Sequence, residues 1–126
     1  MKEIIATEKA PAAIGPYSQA VKAGQTVYIS GQLPLDPSTG EFASEDIQGQ
    51  TEQSLKNIES ILKEAGYTLN DVVKTTVLLS KIEDFTAMNE VYTRYFAENS
   101  PARAAFAVKD LPKNALVEIE AIAWKA

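Results

Sequence analysis

Apolar positions change period along this chain, and the changes divide it into elements. Leu55, Ile58, Ile61, Leu62 and Ala65 recur at spacings of three and four, the stripe of an amphipathic helix. Asp46 stands where an N-cap belongs, and Gly66 where the chain must turn out of that helix. Phe85, Met88, Tyr92, Tyr95 and Phe96 predict a second helix, opened by a Ser80/Glu83 capping box and stopped by Asn99-Ser100-Pro101. Between the two helices, Val72 to Leu79 is β-branched and aliphatic and reads as a strand.

The first third reads as strands and turns. Ile4 to Thr7 is a short strand, followed by the stiff segment Ala10 to Pro16. Tyr17 to Lys22 and Thr26 to Ser30 form a hairpin around Ala23-Gly24. Asp36-Pro37-Ser38-Thr39-Gly40 is a turn signature within the segment Gly31 to Glu41. Two strands close the chain, about Ala102 to Val108 and Ala115 to Trp124, with a turn at Pro112-Lys113-Asn114.

The order βββαβαββ predicts a single α+β domain over residues 1–126, built on one mixed sheet. Right-handed crossovers place both helices on the same face. The strands are nevertheless apolar on both sides. Val73, Val77 and Leu79 fall on one face and Val72 and Leu78 on the other; in the last strand Val117, Ile119, Ala121 and Ala123 alternate with Leu116, Ile122 and Trp124. An apolar sheet face without cover implies a partner, and a homo-oligomer packed sheet to sheet is expected.

Composition removes whole classes of chemistry. The 126 residues include no cysteine and no histidine, so thiolate nucleophiles, disulfides, zinc-thiolate sites and a Ser-His-Asp triad are impossible. Catalysis must run on carboxylates, Lys, Arg, Tyr, hydroxyls, backbone groups and water. A net charge of −5 argues against nonspecific binding to a phosphate backbone, while leaving room for one Arg to hold a small anion. No GxGxxG, no GxxxxGK[ST] and no EF-hand loop is present, and no metal site is expected. No stretch has the roughly 20 apolar residues of a membrane span, and Met1 to Ile5 opens no secretory signal, so a cytoplasmic location is expected.

Three charges stand inside apolar strands. Arg103 lies in Pro101-Ala102-Arg103-Ala104-Ala105-Phe106, where small neighbours leave its planar fork open to a carboxylate. A surface ion pair on an edge strand is the alternative. Glu118 and Glu120, two apart, project from one face of the last strand. Adjacent carboxylates can separate their pKa values and leave one able to carry protons near neutrality, or both can pair with Lys or Arg across the sheet or at a subunit interface. Tyr17 and Ser30-Gly31 sit at strand or turn boundaries where a ligand could approach bare backbone, and Asn89 lies inside the second helix.

Ala10-Pro11-Ala12-Ala13-Ile14-Gly15-Pro16-Tyr17-Ser18-Gln19, Ser30-Gly31-Gln32 and Pro101-Ala102-Arg103 resemble the reactive intermediate deaminase (Rid, formerly YjgF) family, RidA subgroup. The same resemblance runs through Leu111-Pro112 to Val117-Glu118-Ile119-Glu120, with a Glu fifteen residues after the Arg. It implies a chorismate-mutase-like fold and a homotrimer with a central barrel and three clefts between subunits. It further implies cofactor-free hydrolysis of enamines and imines, chiefly 2-aminoacrylate, to 2-keto acids such as pyruvate and 2-ketobutyrate with release of ammonia. Carried over by position, Arg103 clamps the substrate carboxylate and Glu118 activates water. Tyr17, Ser30, Gly31, Asn89 and Ala105 line the pocket. One departure stands out: many RidA-like proteins have Ser-Cys after the motif Arg, and here Ala104-Ala105 follow it, so only a backbone role can pass to Ala105.

Two other function classes compete. One is a non-catalytic trimer that binds 2-keto acids as a regulator; the other is an RNA-directed inhibitor of translation, which the acidic balance and the lack of a basic, aromatic-rich stripe disfavour.

Overall fold

A computed structural model describes residues 1–126. Six strands form one sheet: β1 (Glu3–Ile5), β2 (Ala20–Ala23), β3 (Thr26–Gln32), β4 (Val72–Leu79), β5 (Ala102–Ala107) and β6 (Val117–Trp124). Helix α1 (Ile47–Glu64) connects β3 to β4, and α2 (Phe85–Tyr95) connects β4 to β5. The spatial order is β1-β2-β3-β6-β4-β5, with β4 and β5 parallel and every other pair antiparallel. The expected α+β class and element order therefore hold.

Helix α1 forms where its apolar stripe and its ends agree. Leu55, Ile58, Ile61 and Leu62 are completely buried, each contributing about 1.5–3 kcal/mol by leaving water. The Asp46 carboxylate accepts the Gly49 amide at 2.7 Å, closing the N-terminus. At the other end Gly66, at φ 82°, lets Tyr67 N–H reach the Leu62 carbonyl at 2.8 Å while its own N–H reaches Lys63, a Schellman turn. In α2, Met88, Val91 and Tyr92 are buried against the same core. The expected Ser80/Glu83 capping box does not form: a 3-10 turn over Ile82–Asp84 precedes α2, and Ser80 N–H continues the ladder to the Leu116 carbonyl instead.

Both helices pack on one face, covering Val27, Ile29, Thr75, Val77, Leu79, Val117, Ile119, Ala121 and Ala123. One expected position moves. A bulge between Val72 and Lys74 shifts the alternation by one, so Val72 joins the buried row and Val73 is exposed. The opposite face is open. Register places Ile4, Tyr28, Phe106 and Trp124 there, each about half exposed, a row of apolar side chains with no cover from this chain.

Candidate active site

Gln19 builds the mouth of the first candidate cleft. Its buried amide accepts the Thr7 N–H at 2.7 Å and donates to the carbonyls of Thr7, Ala10 and Pro11. Those bonds hold the segment 7–19 as a strap over the end of β3, and they leave Tyr17 in a turn ahead of β2 rather than in it. Behind the strap, Ser30 Oγ donates to the Ser18 carbonyl at 2.6 Å, which leaves its lone pairs as acceptors.

Helix α1 fixes the rear wall with polar side chains set beside its apolar stripe. Ser54 donates to the Gln32 carbonyl, Asn57 to the carbonyls of Leu33 and Leu35, and Gln50 joins the Ser44 carbonyl to the Leu116 N–H. The sequence offered none of these three residues as a candidate, and Gln19 only as the end of the motif Ala10 to Gln19. Their signal was available: Gln50, Ser54 and Asn57 recur at spacings of four and three, and polar groups buried at such positions must find partners.

The resulting cleft encloses about 660 Å³ and is lined by Tyr17, Ser30, Gly31, Glu118 and Glu120, with Ile14, Leu33 and Lys113 at its edges. Glu118 lies directly against Gly31. A Cβ on Gly31 would overlap the Glu118 carboxylate, so the bare backbone here is what lets Glu118 keep this position. Burial raises the Glu118 pKa above the ordinary carboxylate value, and the charge of Glu120 raises it further. Neither carboxylate has a Lys or Arg within 4.0 Å.

Arg103 lies elsewhere. It pairs in register with Thr75, on the helix-covered face, whereas Glu118 pairs with Leu78 on the open face. Its guanidinium carbon sits 4.7 Å from the Tyr92 ring centre and 5.4 Å from that of Phe85, and its Nη1 donates to Asn89 Oδ1 at 2.7 Å. No acid lies within 4.0 Å, so the ion-pair alternative fails within the chain. Asn89 and Arg103 line a second, smaller hollow together with Tyr92, Ser100 and Pro101. Ala105 lines neither: its methyl packs against the core on β5, the strand that ends the sheet.

The candidate residues thus fall into two groups on opposite faces, a carboxylate cleft and an anion-seeking guanidinium. No cluster of three or more His, Cys, Asp or Glu side chains is placed to hold a metal ion. No helix is long and apolar enough to cross a membrane.

The fold and the site together define an α+β domain with one half-covered mixed sheet, an arginine without an acidic partner and a carboxylate cleft. Comparison with known proteins narrows that description. The profile of the family described as endoribonuclease L-PSP matches residues 7–125. A RutC family protein of Pyrococcus horikoshii is 59% identical over 125 residues, covering 99% of each chain. The human 2-iminobutanoate/2-iminopropanoate deaminase is 53% identical, covering 98% of this chain and 90% of the human one. Escherichia coli TdcF, solved with bound serine, superposes with a TM-score of 0.95 at 42% identity over 98% of this chain and 99% of its own. The chain belongs to the endoribonuclease L-PSP family, the YjgF/Rid family of the sequence resemblance.

Proposed function

We propose that the protein hydrolyses small enamine-derived 2-imino acids to 2-keto acids and ammonia, in clefts completed by neighbouring copies of a homotrimer. The observation that carries this reading is that Arg103 and Glu118 each lack an opposite charge within 4.0 Å. Both are only partly buried, and a half-buried charge with no partner in its own chain is free to take one from a ligand or a second chain. Relatives named 2-iminobutanoate/2-iminopropanoate deaminase, and a relative solved with serine, give the matching ligand chemistry: a small α-carboxylate beside a nitrogen-bearing carbon.

The opposite-face placement supports a site shared between subunits. An open apolar face needs cover, and a neighbouring copy that covers it can bring its own Arg103 and Asn89 towards the cleft of Tyr17, Ser30, Gly31 and Glu118. The Arg103 fork then takes the substrate carboxylate bidentately, with Ser30 and Gly31 beside it. A water held by the Glu118 carboxylate gives that carboxylate a proton and attacks C2 of the imine. The proton passes from Glu118 to the amino nitrogen of the carbinolamine. The C2 hydroxyl then gives its proton to Glu118, which passes it to the same nitrogen as the C–N bond breaks, leaving a 2-keto acid and ammonia. 2-Aminoacrylate enters after tautomerising to 2-iminopropanoate. No histidine is needed, since an imine is electrophilic at the outset and one carboxylate with a raised pKa can serve as both base and acid. Phosphodiester cleavage of a nucleic acid suits the same walls poorly, because two carboxylates and a net charge of −5 repel a polyanionic backbone far more than a small monoanion.

The test is clearance of 2-aminoacrylate generated in situ by a serine dehydratase. Wild type is expected to accelerate keto-acid release, and Arg103→Ala to lose about 100-fold in kcat/KM, the equivalent of two charge-assisted hydrogen bonds at roughly 1.5 kcal/mol each. Wild type at the uncatalysed rate, with 2-oxobutanoate still binding, would make the protein a 2-keto-acid binder instead.

A further inference from the structure

Thr75 and Arg103 are register partners across β4 and β5, and Tyr92 of α2 lies over both. The Tyr92 hydroxyl and Thr75 Oγ1 are 2.7 Å apart in a buried hydrogen bond, with Thr75 fully buried and Tyr92 nearly so. That bond fixes the ring. The Tyr92 ring centre lies 4.7 Å and that of Phe85 5.4 Å from the Arg103 guanidinium carbon, so two aromatic rings pack against the guanidinium. Asn89 Oδ1 takes one N–H, leaving the other donors of the fork for a ligand.

We propose that Tyr92, locked by Thr75, is a positioning residue that sets the pose of Arg103 for carboxylate capture; this rests on the function proposed above. An arginine has a long, rotamer-rich side chain, and holding it before the ligand arrives removes an ordering cost from binding. An aromatic face does this without neutralising the charge, as a carboxylate partner would. Tyr92 itself meets no reacting atom. Its effect belongs to carboxylate binding, which is made equally in ground and transition states, and therefore to KM more than to kcat.

The test compares steady-state deamination of 2-iminobutanoate and binding of 2-oxobutanoate for Tyr92→Phe, Tyr92→Leu, Thr75→Val, Arg103→Ala and the double variant Tyr92→Leu/Arg103→Ala. Tyr92→Leu is expected to raise KM and the 2-oxobutanoate Kd about tenfold, within the range of a desolvated cation–π contact, with kcat changed less than about twofold. Tyr92→Phe, which keeps the ring, and Thr75→Val, which frees it, are expected to raise KM by smaller factors. Because the two residues act as a unit, the double variant should be no worse than Arg103→Ala alone. A KM effect of Tyr92→Leu that persists in full in the Arg103→Ala background, or a fall in kcat with KM unchanged, would overturn the positioning role while leaving the clamp intact. Should Tyr92→Leu fail to fold, Tyr92→Phe and Thr75→Val decide: KM unchanged in both overturns the role. Wild-type KM in Arg103→Ala would overturn the clamp and this inference together.

Discussion

Arg103 and Glu118 project from opposite faces of one sheet, Arg103 in register with Thr75 under α2 and Glu118 in register with Leu78 on the open side. A strand pairing that puts them on opposite faces cannot be undone by side-chain rotation, because alternation in a strand is fixed by the pleat. If both serve one substrate, two chains must supply them.

The open face gives that requirement a physical driver. Trp124 and Phe106 are each about half exposed there, beside Tyr28 and Ile4. Trp124→Glu is expected to shift the sedimentation-equilibrium mass from that of the proposed trimer towards one chain, and to reduce deaminase activity in the same proportion. A variant that stays at the wild-type mass would place the interface elsewhere.

Gly31 separates a local from a global effect. A Cβ there meets the end of the Glu118 side chain, not backbone, so the carboxylate has to swing aside. Gly31→Ala should lower kcat about tenfold or more, since displaced general bases lose much of their effect, while Tm stays near wild type. A large fall in Tm with kcat retained in the folded fraction would contradict the contact.

The pH dependence follows from Glu118. Its folded-state pKa is raised, by burial first and Glu120 second, so the folded protein holds this proton more tightly than the unfolded chain does. Stability from this group is therefore present at acid pH and lost as pH rises through the raised value. Glu118→Gln, which mimics the neutral form, is expected to melt higher than wild type at neutral pH. That advantage should shrink as pH falls towards the ordinary carboxylate value of 4.5. Wild-type kcat/KM should fall on its acid side above that same value as Glu118 protonates, and Glu118→Gln should lose about 100-fold or more in kcat. Melting curves and pH–rate profiles check both signs.

Much of this was legible in the sequence, for identifiable reasons. Helix α1 carried a local signal at every level: an N-cap at Asp46, an apolar stripe and a terminating Gly66. Arg103 and Glu118 were conspicuous as charges in apolar strands. What stayed hidden depended on long-range pairing. The bulge that exposes Val73 arises from β4 meeting β6, and Ser80 forgoes its cap because Leu116, distant in sequence, offers a carbonyl. The stacking of Tyr92 and Phe85 on Arg103 could not be read from a helical stripe, where an aromatic at core spacing has many uses. The division of the site between two faces required the strand order itself.

Mixing two inactive variants tests the shared site most directly. Arg103→Ala and Glu118→Gln are unfolded together in equal amounts, refolded and assayed, with each refolded alone as a control. In a cyclic trimer each cleft draws Arg103 from one chain and Glu118 from the next, so random assembly restores both in about a quarter of the clefts. The account predicts about a quarter of wild-type activity from the mixture and almost none from either variant alone. A mixture as inactive as its parents, with mixed trimers present, would contradict it.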